Sequence, residues 1–322
     1  MAESLVAPPA LDRILPLARQ LPGDALAALE ARLAPEEGAV DLSLRLTRSP
    51  QALELAERFG LHHLRPLLLR WAEEGEASPV GSLVETLWLE FDLGGPTPAP
   101  RPVVCAGLRG RAEPGWIAGS LLPGLHGEPL SGRQRTLVEA CCAAIPEKAR
   151  LLYAFSLGAR GAGEVRLEIL GLDPQGVREY MEQTAPHAAG PLAAVLPLFE
   201  GVERLHLSLD IGERISPRVG VEGSFRRLPH REPRWRQLFD LLVARGLCSP
   251  EKRDAVFVWP GHDSFWTAPE AWPAGAARLN LFCVRSLSHV KLVCSPGREP
   301  EAKVYLLFTP FERRRPGRPQ EA

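Results

Sequence analysis

Apolar and polar residues alternate with period two in a series of short segments along the chain. In Arg204-Leu205-His206-Leu207-Ser208-Leu209-Asp210-Ile211, a strand puts Leu205, Leu207, Leu209 and Ile211 on one face and His206, Ser208 and Asp210 on the other. The same alternation recurs at 87–93, 164–169, 218–222, 289–292 and 303–306. Each of these strands has one aliphatic or aromatic face and one face that carries charge.

The order of elements defines a repeat. Apolar spacing at i, i+3 and i+4 predicts a helical hairpin over 11–21 and 24–33, split by Pro22-Gly23 with Asp24 as N-cap. A strand follows at 40–47, then a helical stretch from Pro50 to about Trp71 and a polar break at 74–82. Beyond that, strand pairs at 87–93 with 102–108, 150–157 with 164–170, 204–211 with 218–225, and 288–294 with 302–308 are joined to one another by helical or loop-rich connections. Helices are predicted near 134–144, 175–183, 191–199, 235–245 and 250–258, and Ser295-Pro296-Gly297 turns the last hairpin.

A β-β-α unit repeating about four times excludes a doubly wound sheet, in which single strands alternate with helices, and a β-sandwich, which has little helix. The nine strands counted, with a tenth expected in 282–286, fit an α+β fold: a closed antiparallel β-barrel of about ten strands ringed by helices. An open two-layer sheet would show the same alternation with its charged face in solvent; in the closed form that face becomes a lumen. The division expected is a helical region with one strand over 1–75, packed on the barrel, then the barrel over 84–311, and a disordered charged tail over 312–322.

Charge and composition narrow the partners. Thirty-eight Lys and Arg against 39 Asp and Glu leave a net charge of -1, so no global field draws the chain to nucleic acid or to a membrane. No apolar run approaches the roughly 20 residues of a membrane-spanning helix. Met1-Ala2-Glu3-Ser4 opens without a secretory pattern, so the cytoplasm is the expected location. Cys105, Cys141, Cys142, Cys248, Cys283 and Cys294 form no C-x-x-C pair and read as reduced structural thiols.

The charged faces supply the candidate chemistry. Arg166, Arg218, Lys291 and Lys303 on one lumen match the charge of a diphosphate. Glu90, Asp92, Glu168, Asp210 and Glu222 are the acids that would balance them, with Glu90 the candidate proton acceptor. His206 and His289 lie on polar strand faces as a candidate acid-base pair, or as hydrogen-bonded structural residues. His62-His63 falls in a helical stretch where adjacent side chains diverge, and no His, Glu or Asp spacing matches a zinc motif, so no metal is expected. The glycine-rich 158–163 joins two strands and opens no helix, which excludes a phosphate-binding loop. Neither a G-x-S-x-G elbow nor a D-D-x-x-D motif is present. Trp259 through Asp263, with Trp266 and Trp272, forms an aromatic segment that either lines a barrel mouth or anchors loops.

The β-β-α order, together with the closing hairpin His289-Val290-Lys291-Leu292-Val293-Cys294-Ser295-Pro296-Gly297 and Glu301-Ala302-Lys303-Val304-Tyr305-Leu306, resembles the aromatic prenyltransferases of the α-β-β-α barrel class, the PT barrel. The segments Glu232-Pro233-Arg234-Trp235 and Gly246-Leu247-Cys248-Ser249-Pro250-Glu251-Lys252 also resemble uncharacterised bacterial proteins. The prenyltransferase resemblance implies transfer of an allylic group from an isoprenoid diphosphate to an aromatic or peptide acceptor in bacterial secondary metabolism. It implies that Arg166, Arg218, Lys291 and Lys303 hold the diphosphate, that Tyr153, Tyr305 and Trp88 flank the allylic cation, and that Glu90 holds the acceptor, with no obligatory cofactor and Mg2+ an optional companion of the diphosphate. The chain has only three Tyr, too few for a full tyrosine shield. A barrel that keeps this architecture without the chemistry, as an accessory protein of a peptide-modification pathway, is the competing expectation.

Overall fold

Ten strands of the computed structural model close on themselves. The structure describes residues 5–23, 25–35, 38–93, 101–161, 163–264 and 281–312. In chain order the strands are β1 (Ala27–Arg32), β2 (Val40–Leu46), β3 (Val84–Phe91), β4 (Val103–Leu108), β5 (Arg150–Ser156), β6 (Val165–Leu170), β7 (Arg204–Ile211), β8 (Ile215–Ser224), β9 (Gly261–Ser264), β10 (Leu281–Cys294) and β11 (Glu301–Glu312). Neighbours pair antiparallel from β1 to β8, then β8 with β10, β10 with β11, and β11 back onto β1. Short β9 lies outside that ring and pairs with the first part of β10.

The alternation explains the layering. Outward-facing Leu42, Leu44, Leu89, Ile169, Leu207, Leu209, Val221, Leu292 and Val304 are buried under helices that contribute Leu67, Trp71, Ile117, Val138, Met181, Trp235 and Phe239 to one apolar core. Each such side chain removed from water stabilises the fold by about 1.5–3 kcal/mol, so this outer sheath is what keeps the barrel closed. Several of the helices start at designed caps: Ser131, Asp173 and Ser249 accept hydrogen bonds from the backbone N–H of Gln134, Gly176 and Lys252.

The sequence reading fails at two places, and each has a physical cause. The second arm expected of a helical hairpin is instead a strand, since 27–32 is β1. Its Ala content favours helix, but pairing to β2 and β11 on both edges and burial of Leu29 and Ala31 in the outer core override that propensity. This strand supplies the tenth stave, so the N-terminal region is built into the barrel through β1 and β2. The tenth strand expected at 282–286 is instead the first part of continuous β10. The expected N-cap Asp24, the aromatics Trp266 and Trp272, and the tail beyond 312 lie outside the described residues.

Two bulges change which face a residue meets. In β10 the register slips between Leu287, opposite Leu306, and His289, opposite Tyr305. Leu287 packs in the outer core, whereas His289 turns into the lumen. In β5 the slip between Leu151 and Tyr153 does the same for Tyr153, which faces Glu168. An extra residue inverts the parity of a strand and re-aims its side chains.

Candidate functional site in the barrel lumen

One end of the lumen is cationic. Beneath the tight connections between β5 and β6, β7 and β8, and β10 and β11, a cavity of about 230 Å³ is walled by Arg32, Arg160, Arg166, Arg218, Lys291 and Lys303, with Glu30, Asp41 and Asp92 among them. The structure therefore brings the four predicted basic residues together and adds two that sequence reasoning missed. Arg32 comes from the misassigned β1. Arg160 comes from the glycine-rich β5–β6 connection and reaches Asp92 with a two-point contact of 2.7 and 2.8 Å.

Each of these cations has a carboxylate neighbour. Arg166 grips Asp210 through two bonds of 2.5 and 3.0 Å, Lys291 lies 2.5 Å from Glu222, Lys303 lies 2.6 Å from Glu30, and Arg32 lies 2.8 Å from Asp41. Arg218, half exposed, is 3.8 Å from Glu301. Burial alone would favour neutral acids here. The surrounding cations outweigh it and hold Glu30, Asp210 and Glu222 below the ordinary carboxylate range.

Glu90, like Asp41, shifts the other way. Burial pushes its carboxyl up to about 7, because Arg160, 3.7 Å away, is already committed to Asp92 and Glu30 adds like charge. A group poised there can accept a proton near neutral pH. Beside it the wall becomes apolar: Val103, Cys105, Phe155 and Leu157 form a small cluster inside the lumen, joined by Trp88, Tyr153 and Ala159. The Arg166 guanidinium lies over the Phe155 ring at 5.7 Å, linking the cationic cavity to this wall.

The two histidines sit deeper, on the β6–β7–β8–β10 side. Their ring centres are 6.2 Å apart, and they differ in state. Burial opposes a charge on His206, but its 2.7 Å hydrogen bond to Glu168 and the Glu222 carboxylate 3.7 Å away prevail and raise it to about 9. Burial lowers His289 to about 4, leaving it neutral. The His289 ring stacks on Tyr305 at 4.0 Å, and the Tyr305 hydroxyl donates to Glu30. Tyr180, by contrast, lies in the outer core and donates to the Cys141 carbonyl at 2.8 Å.

The absence of a metal motif by spacing does not carry over to space. Glu168, His206 and Glu222 each offer a ligand atom, all within 4.8 Å of one another. Their separation in the chain hid the cluster, since each comes from a different strand.

Comparison with known proteins places the fold. In solved structures, the chain superimposes on 5-dimethylallyltryptophan synthase from Streptomyces coelicolor with a TM-score of 0.50 and 13% identity, covering 92% of this chain and 88% of that one. It matches AnaPT from Neosartorya fischeri with a TM-score of 0.52 and 8% identity, covering 88% of this chain and 77% of that one. No family model matches the chain, and no curated protein matches it in sequence. The protein has the PT-barrel fold of the aromatic prenyltransferases, and at these identities the fold is what is shared.

Proposed function

We propose that this protein is a prenyltransferase-like enzyme that takes an allylic group from an isoprenoid diphosphate and joins it to an aromatic or peptide acceptor in bacterial secondary metabolism. The observation that carries this reading is the placement of six basic side chains around one cavity beside an apolar, aromatic wall in the same lumen. The diphosphate would lie against Arg32, Arg160, Arg166, Arg218, Lys291 and Lys303, which stabilise the negative charge that grows as the allylic C–O bond breaks. The departing electron pair stays on the diphosphate. The allylic cation, flanked by Trp88 and by Tyr153 or Tyr305, is attacked by the acceptor, and the acceptor's proton passes to Glu90. No metal is obligatory in this scheme, and Mg2+ would enter with the diphosphate.

Thermal shift with dimethylallyl, geranyl and farnesyl diphosphate tests it. A ligand at about 100 times its Kd stabilises the native state by roughly 2.7 kcal/mol, which is a readily measured shift. The cavity is smaller than the roughly 300–1,000 Å³ of sites for drug-sized ligands, so dimethylallyl diphosphate should bind best. If none of the three binds saturably, the reading is rejected.

A second reading, a non-catalytic accessory barrel, is favoured by one observation: all six cavity cations already lie within 4 Å of a carboxylate. A self-neutralised lumen needs no ligand. Saturable diphosphate binding without turnover of any aromatic acceptor would support it.

A further inference from the structure

We propose that Arg45 is a substrate-binding residue that holds a carboxylate of the acceptor, which makes the acceptor an aromatic carboxylic acid; this rests on the prenyl-transfer reading and extends it to the acceptor's charge. Leu44 and Leu46, on either side of Arg45 in β2, belong to the outer core. Arg45 itself pairs in register with Trp88 of β3, a member of the aromatic cluster inside the lumen. Residues directly opposed in a ladder share a face, so the Arg45 side chain leaves β2 on the lumen side, beside the Trp88 indole.

What sets Arg45 apart is the lack of a partner. Each of the six cavity cations has a carboxylate within 4 Å. Arg150, Arg234 and Arg253, half-buried as Arg45 is, each donate to a carbonyl or a carboxylate. The side chain of Arg45 makes no hydrogen bond, ion pair or ring contact among the described residues. Its N–H donors are free to take an anion, and the planar guanidinium matches both oxygens of a carboxylate.

Register assigns that anion to the acceptor. Along the lumen face of β2 the order is Asp41, then Ser43 opposite Glu90, then Arg45 opposite Trp88. Asp41 lines the diphosphate cavity, so the donor's charge is met on the far side of Glu90 from Arg45. The step from Ser43 to Arg45 is about 7 Å along a strand. A bicyclic aromatic ring at the level of Glu90, with a short acid arm, reaches across it. The charge also fits the chemistry. Trp88 flanks the allylic cation, and an unpaired guanidinium beside that indole would repel the cation as it forms. The acceptor's carboxylate cancels that charge before the C–O bond breaks.

Calorimetric titration of the full-length protein with indole-3-propionate and with its primary amide, each with and without inorganic pyrophosphate, tests the assignment. The probes differ in the charge at the end of the arm. Wild type should bind the acid roughly tenfold more tightly than the amide. Arg45→Gln should remove that preference by weakening the acid, whereas Arg45→Lys, which keeps the charge but loses the two-point fit, should retain part of it. Circular dichroism establishes which variants are folded, and if Arg45→Gln is not, a reduced preference in Arg45→Lys is the expected result. Equal affinity for acid and amide in wild type, or saturable binding of neither, overturns the proposal. So does a preference that survives undiminished in every folded Arg45 variant. These titrations contain no isoprenoid, so a failure to bind or transfer an allylic diphosphate is read separately from a failure of Arg45 to select the acid.

Discussion

Lys291 of β10 and Lys303 of β11 stand directly opposite one another in the ladder, and each directs its ammonium to a carboxylate on its other neighbour, Glu222 at 2.5 Å and Glu30 at 2.6 Å. Like charges facing across a ladder repel. From sequence alone, truncating either lysine should relieve that repulsion and leave the fold intact. The carboxylate partners reverse the sign for stability, because removing Lys291 leaves Glu222, 3% exposed, short of its principal counter-charge. Lys291→Met should cost on the order of 3–5 kcal/mol in urea denaturation, and Lys291→Met with Glu222→Gln should recover most of the loss. A single variant as stable as wild type would show that the pair does not hold the lumen together.

Arg218 separates binding from stability. It lines the same cavity, but its side chain is 44% exposed and its nearest acid, Glu301, is 3.8 Å away. An exposed pair of this kind contributes about 0–1 kcal/mol. Arg218→Gln should therefore leave the urea midpoint nearly unchanged while weakening dimethylallyl diphosphate by roughly tenfold, as read by calorimetric titration. Unaltered affinity would move the diphosphate away from the Arg218 side of the cavity.

Strands such as β6 and β7 were legible because each carries a clear alternation and the outer core rewards one parity. The lumen's basic residues were legible for the same reason, since Arg166, Arg218, Lys291 and Lys303 are all on the face opposite the aliphatic one. Glu30 and Arg32 were hidden by the alanines around them; the signal was there, in Leu29 and Ala31 alternating with Glu30 and Arg32, but it is short and competes with helix propensity. Arg160 lies in a loop and follows no period. The pairing of His206 with Glu168 and Glu222 depends on inter-strand register, which no single strand encodes.

Glu90 gives a dependence on pH with a defined sign. Its carboxyl is raised from 4.5 to about 7, so between those values the folded protein binds more protons than the unfolded chain. Stability then falls as pH rises from 4.5 to 7, and above 7 the full penalty of a buried charge remains. Glu90→Gln should be more stable than wild type at pH 8, by roughly 2–3 kcal/mol, and the difference should vanish toward pH 4.5. A variant less stable than wild type at pH 8 would mean that Arg160 holds Glu90 ionised. In the prenyl-transfer reading, the same substitution removes the proton acceptor, and product formation should fall while diphosphate binding persists.

Gly107 fixes the aromatic wall. It faces Tyr153 on β5 and Thr86 on β3 in register, and a Cβ there would lie 2.7 Å from the Tyr153 ring as well as against the Thr86 hydroxyl. The Trp88 indole donates to that hydroxyl at 3.3 Å, so both aromatics depend on the gap that glycine leaves. Gly107→Ala should cost about 1–3 kcal/mol and displace Tyr153 and Trp88, shifting tryptophan fluorescence. Pairing Gly107→Ala with Tyr153→Leu should restore part of the stability if the clash with the ring is the cause. A double variant no more stable than the single would place the strain on Thr86 and leave Tyr153 free to move.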